Sequence, residues 1–239
     1  MGWTVTVHNV STLGGARRAL KSTDKAKMAK YAKLANVAYH DQPIPRGFKV
    51  DERFLNDDVK TMYNDKTGEL VFSIAGTQLD KPRSAMRDLS DDTKIFLGNA
   101  SRIERISSIK NIIKLARGVY KDQKTNPVIV GHSLGATVGK KLSDQTGIDY
   151  IGFNRGGSPA QRVVDTVAAI LDKPLHNTNQ TDYAVRSDII SSPWLLGSDD
   201  VIEVPKTADS SHTLYNFMTG SGSGYRRSLI MSLPKNQKK

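Results

Sequence analysis

The chain has 239 residues, 38% of them hydrophobic and 25% charged, with 19 Gly, 9 Pro and no Cys. A chain of this length can bury a sizeable core, and the lack of cysteine excludes disulfides, thiolate metal sites and a cysteine nucleophile. The formal net charge is +11, much of it on Arg17, Arg18, Lys21, Lys25, Lys27, Lys30 and Lys33 and on a tail with Lys235, Lys238 and Lys239. Such a balance attracts an anionic lipid surface or nucleic acid, or only keeps a solvated face soluble. The basic residues lack interleaved aromatics and no recognition motif accompanies them, so nucleic acid is not the expected partner. No apolar run approaches the roughly 20 residues that span a membrane. Residues 1–10 alternate polar and apolar positions without the continuous core of a signal peptide. The expected location is therefore the cytoplasm or the periphery of a membrane.

In chain order, residues 4–10 suit a short strand. From Asp24, a candidate N-cap, the apolar positions Met28, Tyr31, Ala32, Ala35, Ala38 and Tyr39 recur at helical spacing. Pro43 and Pro45 end that helix. Residues 59–63 and 69–75 read as two strands joined by the turn Asn64-Asp65-Lys66-Thr67-Gly68. Ile106, Ile109, Ile113, Ala116 and Tyr120 line one face of a long amphipathic helix. Residues 127–130 form an uninterrupted apolar run of the kind buried on both faces. A helix over 135–142 follows, then a strand over 147–153, a helix over 162–171, and strands over 182–186 and 201–204. Strands alternating with helices predict an α/β fold, a mostly parallel sheet with helices on both faces. No internal repeat or linker appears, so one domain over 1–239 is expected, with the basic region 1–23 and the tail 234–239 peripheral to it.

Gly131-His132-Ser133-Leu134-Gly135 sits between that buried strand and a helix. Glycines two positions either side of a serine let strand and helix approach closely, and the sharp turn lifts the hydroxyl clear of the sheet. The following helix N-terminus favours a developing oxyanion, with the N–H of Leu134 as one donor. A serine hydroxyl needs a base, and the base an orienting acid, in the order Ser, acid, His on such a turn. Of five His, His8 and His40 precede Ser133, and His176 lies in a polar connector with no strand-end acid before it. His132 is adjacent to the serine and is expected to point away from the serine's partner. His212 follows Asp188, which comes just after the strand over 182–186, with Asp199 and Asp200 as competing acids. Strand-end acid and loop histidine would converge on one sheet edge. Ser133, Asp188 and His212 are the expected catalytic set.

Together with Leu34-Ala35-Asn36-Val37-Ala38-Tyr39, Val71-Phe72-Ser73-Ile74-Ala75-Gly76-Thr77, Asp88-Leu89, Phe153-Asn154-Arg155-Gly156-Gly157-Ser158-Pro159, Val185-Arg186-Ser187-Asp188 and Ser211-His212, the serine motif resembles the class 3 (fungal-type) lipase family. The resemblance spans about residues 30–215 and implies an α/β-hydrolase fold. It further implies an oxyanion-hole role for Thr77 beside Leu134, and a supporting role for Asp88. It points to a lipase or esterase, phospholipase A1-like in one version, that cleaves acylglycerol or phospholipid esters without cofactor or metal. Ala75 replaces the Arg that often precedes Gly-Thr in the family, and Ala160-Gln161 follows Pro159 where the family has Pro-Arg. A lid would fall at 79–96. Trp194 and Leu195, with Leu196, form an apolar cluster suited to line an acyl pocket, dip into a membrane or simply pack. The alternative reading is a catalytically silent hydrolase-like domain that binds lipid membrane or a protein partner.

Overall fold

The computed structural model describes residues 18–19, 22–39, 42–76, 100–156, 179–185, 187–188, 200–218 and 225–227. Its elements follow as β1 (Arg18–Ala19), α1 (Ser22–Asn36), β2 (Lys49–Leu55), β3 (Val59–Asn64), β4 (Glu69–Ile74), α2 (Ala100–Tyr120), β5 (Asn126–His132), α3 (Leu134–Thr146), β6 (Asp149–Phe153), β7 (Gln180–Val185), β8 (Asp200–Val204), α4 (Tyr215–Met218) and β9 (Tyr225–Arg227). The expected strand at 4–10, the lid segment 79–96 and the helix at 162–171 lie outside the described residues.

The strands form one sheet in the order β1-β9-β8-β7-β6-β5-β4-β3-β2. From β4 to β8 each strand runs parallel to the next. The flanking pairs are antiparallel. The mostly parallel α/β arrangement expected from the alternation is therefore present at the centre, with antiparallel margins.

Period-two alternation distributes the strands' side chains between two cores. On one face, Met28, Leu34 and Ala35 of α1 and Phe217 of α4 pack with Val71, Val130, Phe153 and Tyr183. On the other, Ile109 and Ile113 of α2 and Ala136 and Leu142 of α3 pack with Phe72, Ile129 and Tyr150. Strand β5 shows the division clearly, since Val128 and Val130 join the first core and Ile129 the second. Both faces are buried, which is why its sequence is an unbroken apolar run.

Boundaries differ from the expected ones for local reasons. Helix α1 starts at Ser22 and ends at Asn36, so Asp24 stands in its first turn rather than at its cap. There the carboxylate faces the positive end of the helix dipole. Beyond Asn36 the chain tightens, with the N–H groups of Val37, Ala38 and Tyr39 bonded to carbonyls three residues back. Helix α3 runs on to Thr146, and Gly147 ends it in a left-handed conformation (φ 69°), delaying the next strand to Asp149. Strand β2 escapes the sequence pattern because it is an edge strand of the sequence Lys-Val-Asp-Glu-Arg-Phe-Leu in which only Phe54 is buried. Charge on an edge strand blocks sheet-to-sheet pairing and erases the apolar alternation.

The expected turn is built by Asn64, whose Oδ1 accepts from the N–H groups of Lys66 (3.0 Å) and Thr67 (3.2 Å). Gly68 then takes φ 69°, and the hairpin β3–β4 closes in full register.

The two motif glycines are demanded by close approach. A Cβ on Gly131 would lie 2.5 Å from the Gly135 carbonyl carbon, and one on Gly135 would lie 2.3 Å from the carbonyl oxygen of Ile74. Helix α3 thus rests directly on the ends of β4 and β5. Gly135→Ala is expected to cost about 3 kcal/mol or more, because the obstructing atoms are backbone and cannot swing aside. Thermal unfolding with its concentration of soluble protein checks this, and a melting temperature within a degree or so of wild type would contradict it.

Candidate active site

Strand β5 ends at His132 and α3 begins at Leu134, so Ser133 alone makes the turn, with φ 56° and ψ −125°. A positive φ is costly for a residue with a Cβ, by about 1–3 kcal/mol, and persists only where the surroundings impose it. Here they do. The Ser133 N–H donates to the Phe153 carbonyl at the end of β6, and the Ser133 carbonyl accepts from the N–H groups of Ala136, Thr137 and Gly156. Thr137 Oγ1 also donates to the Gly156 carbonyl, fastening α3 to the segment after β6.

The turn aims Ser133 Oγ at Nε2 of His212, 2.8 Å away. His212 Nδ1 lies 2.7 Å from Oδ2 of Asp188, which is fully buried. A carboxylate only accepts, so Nδ1 carries the hydrogen and Nε2 is left to accept the serine proton. The structure therefore brings together Ser133, His212 and Asp188, from the ends of β5, β8 and β7. Asp200 opens β8, at the opposite end of that strand from His212. Asp199, Thr77, Asp88, Trp194 and Leu195 lie outside the described residues, as do His8, His40 and His176. Leu134 is the first residue of α3, where helix N–H groups have no intrahelical acceptor.

The loop that carries His212 is held by side chains from elsewhere. Asn154 follows β6 with φ 42°; its Nδ2 donates to the Ser211 carbonyl (2.9 Å) and its Oδ1 accepts from the Val185 N–H (2.9 Å). One side chain thus ties the histidine loop to the strand that delivers Asp188. Asn216 Nδ2 donates to the carbonyls of Ser210 and Thr213, while its Oδ1 accepts from the N–H groups of Thr207 and Ala208. Beneath Asn154, buried Arg155 pairs with Asp182 (2.9 Å), which also accepts from the Tyr150 hydroxyl (2.8 Å). Sequence reasoning assigned none of these roles. The bonds of Asn154, Arg155 and Tyr150 join residues far apart in the chain, and the local bonds of Asn216 follow no turn or cap pattern readable beforehand.

The segment entering 77 is pinned as well. The Ala75 N–H donates to the Asp58 carbonyl (2.9 Å), and the Ala75 carbonyl accepts from Arg105 Nη2 (2.6 Å). Arg105 also pairs with the Asp58 carboxylate (2.7 Å). A guanidinium therefore reaches this strand end from α2, although residue 75 itself is alanine.

His132 corrects the sequence expectation. It does not point away from the serine's partner: its Nε2 lies 2.6 Å from the His212 carbonyl, and the two rings are 5.0 Å apart. The reversal at Ser133 breaks the strand alternation that would have sent neighbouring side chains to opposite faces. Burial, reinforced by the nearby His212, pushes the His132 imidazole down to about 3 from an ordinary 6.5. Between those values the unfolded chain binds a proton that the folded protein refuses, so stability is full above pH 6.5 and falls as pH drops toward 3. The loss is at most about 1.4 kcal/mol per pH unit, and less where solvent reaches the ring edge. Urea unfolding from about pH 7 down to about pH 5 is expected to show this slope, flattened in His132→Gln. Equal slopes in both proteins would assign the acid sensitivity to other groups.

A strand–serine–helix turn met by a histidine and an aspartate from beyond later strands defines the class of α/β-hydrolase folds, and a solved structure of matching fold agrees. The lipase of Rhizomucor miehei, in its propeptide complex, superposes with a TM-score of 0.50 at 13% identity, over 84% of this chain and 79% of that one. Lipase II from Rhizopus niveus gives a TM-score of 0.48 at 14% identity, over 82% and 85%. No protein-family model matches the sequence, and no curated protein matches it either. The chain has a lipase-like α/β-hydrolase fold. Among the described residues no helix is long and apolar enough to cross a membrane.

Proposed function

We propose that this protein is a serine hydrolase of carboxylic esters, lipase-like in substrate, acting through an acyl-enzyme on Ser133. The observation that carries the reading is the unbroken chain Ser133–His212–Asp188, with links of 2.8 and 2.7 Å. His212 Nε2 takes the Ser133 proton as Oγ attacks the ester carbonyl. The resulting tetrahedral oxyanion is held by the N–H of Leu134, at the positive end of α3, and by that of Thr77. His212 then returns the proton to the departing alcohol, and a water, deprotonated by the same ring, releases the acid. Asp188 keeps the imidazole in the accepting tautomer and stabilises the imidazolium.

Acylglycerol or phospholipid esters are the proposed substrates. The lipase-like fold supports that class, and the net charge of +11 supports approach to an anionic lipid surface. Trp194 and Leu195 are proposed to line the acyl pocket. The test is incubation with a fluorophosphonate followed by peptide mapping, beside hydrolysis of p-nitrophenyl esters from short to long acyl chains, with and without anionic vesicles. Modification at Ser133 together with turnover supports the reading, and the chain-length profile separates lipase from short-chain esterase. Neither labelling nor turnover under any condition would sink it, and would favour a silent binding domain.

A further inference from the structure

We propose that Tyr39 and His132 are positioning residues, a one-way hydrogen-bond chain that joins the strand end at Gly76 to the main chain of His212 and so aims the His212 ring at Ser133. The inference rests on the serine-esterase reading above.

The direction of the chain follows from what each atom can do. A carbonyl oxygen only accepts, so the 2.6 Å contact between His132 Nε2 and the His212 carbonyl places a hydrogen on Nε2. In a neutral imidazole the other nitrogen must then accept. His132 Nδ1 lies 2.9 Å from the Tyr39 hydroxyl, which therefore donates to it. The Tyr39 oxygen in turn accepts from the Gly76 N–H. Gly76 N–H to Tyr39, Tyr39 O–H to His132, and His132 N–H to the His212 carbonyl all point the same way.

The fit around the chain is close. A Cβ on Gly76 would meet the Tyr39 oxygen at 2.7 Å and the His132 carbonyl at 2.9 Å. Residues 205–214 contain no regular element, so their carbonyls depend on donors from outside. Asn216 serves Ser210 and Thr213, Asn154 serves Ser211, and His132 serves His212 itself. That last bond is the one nearest the reacting ring, and a displacement of about 1 Å there can cost about 100-fold in rate. His132 is also barred from acting as the base, because its Nε2 carries the hydrogen given to a carbonyl and its accepting Nδ1 is taken by the Tyr39 hydroxyl.

The experiment compares the wild-type chain with His132→Leu, His132→Gln and Tyr39→Phe in steady-state hydrolysis of p-nitrophenyl butyrate, with thermal unfolding of each. His132→Leu removes the donor and is expected to lower kcat by about 100-fold while KM stays within about twofold. Glutamine can place its Nε2 hydrogens near those of the imidazole, so His132→Gln is expected to recover most of that loss. Tyr39→Phe leaves His132 Nδ1 without its donor, so the ring is held on one side only, and it is expected to lower kcat by about tenfold. Unchanged kcat in His132→Leu, or equal damage by Leu and Gln, would overturn the proposal. If His132→Leu does not fold, Tyr39→Phe decides, and a kcat within about twofold of wild type overturns it. A wild type with no turnover and no fluorophosphonate labelling fails the serine-esterase reading first, which keeps the two failures distinct.

Discussion

Ser133→Ala is expected to reduce kcat for ester hydrolysis by about 10⁶-fold, leaving only what binding and the oxyanion donors supply. The size follows from the proposed role, in which no other group on the turn can form the acyl-enzyme. His132 is next in sequence, but its Nε2 is bonded to the His212 carbonyl and its Nδ1 to Tyr39. Alanine is smaller than serine, and the backbone bonds that hold the turn come from the Ser133 N–H and carbonyl, not from its side chain. The mutant should therefore unfold at nearly the wild-type temperature. Its cost is the positive φ, which serine already bears. Steady-state rates on a single p-nitrophenyl ester, read beside the melting curve, make the check. Residual activity above about a hundredth of wild type in the folded mutant would remove Ser133 from the nucleophile's place.

Asp188→Asn should lower kcat by about 10⁴-fold with little change in KM. Asp188 is fully buried, and its Oδ2 accepts from His212 Nδ1 at 2.7 Å. An amide of the same shape can turn its NH2 toward that nitrogen. The imidazole would then carry its hydrogen on Nε2, facing Ser133 Oγ, and could no longer take the serine proton. The charge that steadies the imidazolium disappears as well. Because the substitution keeps volume and packing, the expected signature is a large loss in kcat with an almost unchanged fold. A loss below about tenfold would mean that another acid orients His212.

The segment from 127 to 146 was legible in the sequence because its determinants are local. An apolar run bounded by Asn126 and a glycine makes a strand buried on both faces, and the spacing Gly131, Ser133, Gly135 lets a helix start at once. Ser133 follows directly from that pattern. Asp188 and His212 were legible for a different reason. Asp188 lies three residues beyond β7 and His212 in the loop that follows β8, and in a parallel sheet the strand ends and their loops gather at one edge. Strand β2 was not legible, since an edge strand of mixed charge carries no apolar signature. The two-residue β1 and three-residue β9 pair with one another across most of the chain, so no local signal could announce them.

His132 shows where the sequence argument went astray. Alternation along a strand sends neighbours to opposite faces, but the alternation stops where the backbone reverses at Ser133. Arg105, Asn154 and Asn216 were missed for a related reason. Each satisfies main-chain groups that a loop or strand end leaves open, and only the finished packing shows which carbonyl each can reach. The sequence alone determined the α/β class, the glycine-flanked serine turn and the order in which the histidine and aspartate that meet it follow, because these rest on periodicity, glycine sterics and the rule of strand ends. Tertiary structure alone decided how His132 is turned, which side chains hold the loop of His212 and what braces the strand end at Ala75, because side-chain hydrogen bonds act over distances of a few ångströms and not along the chain.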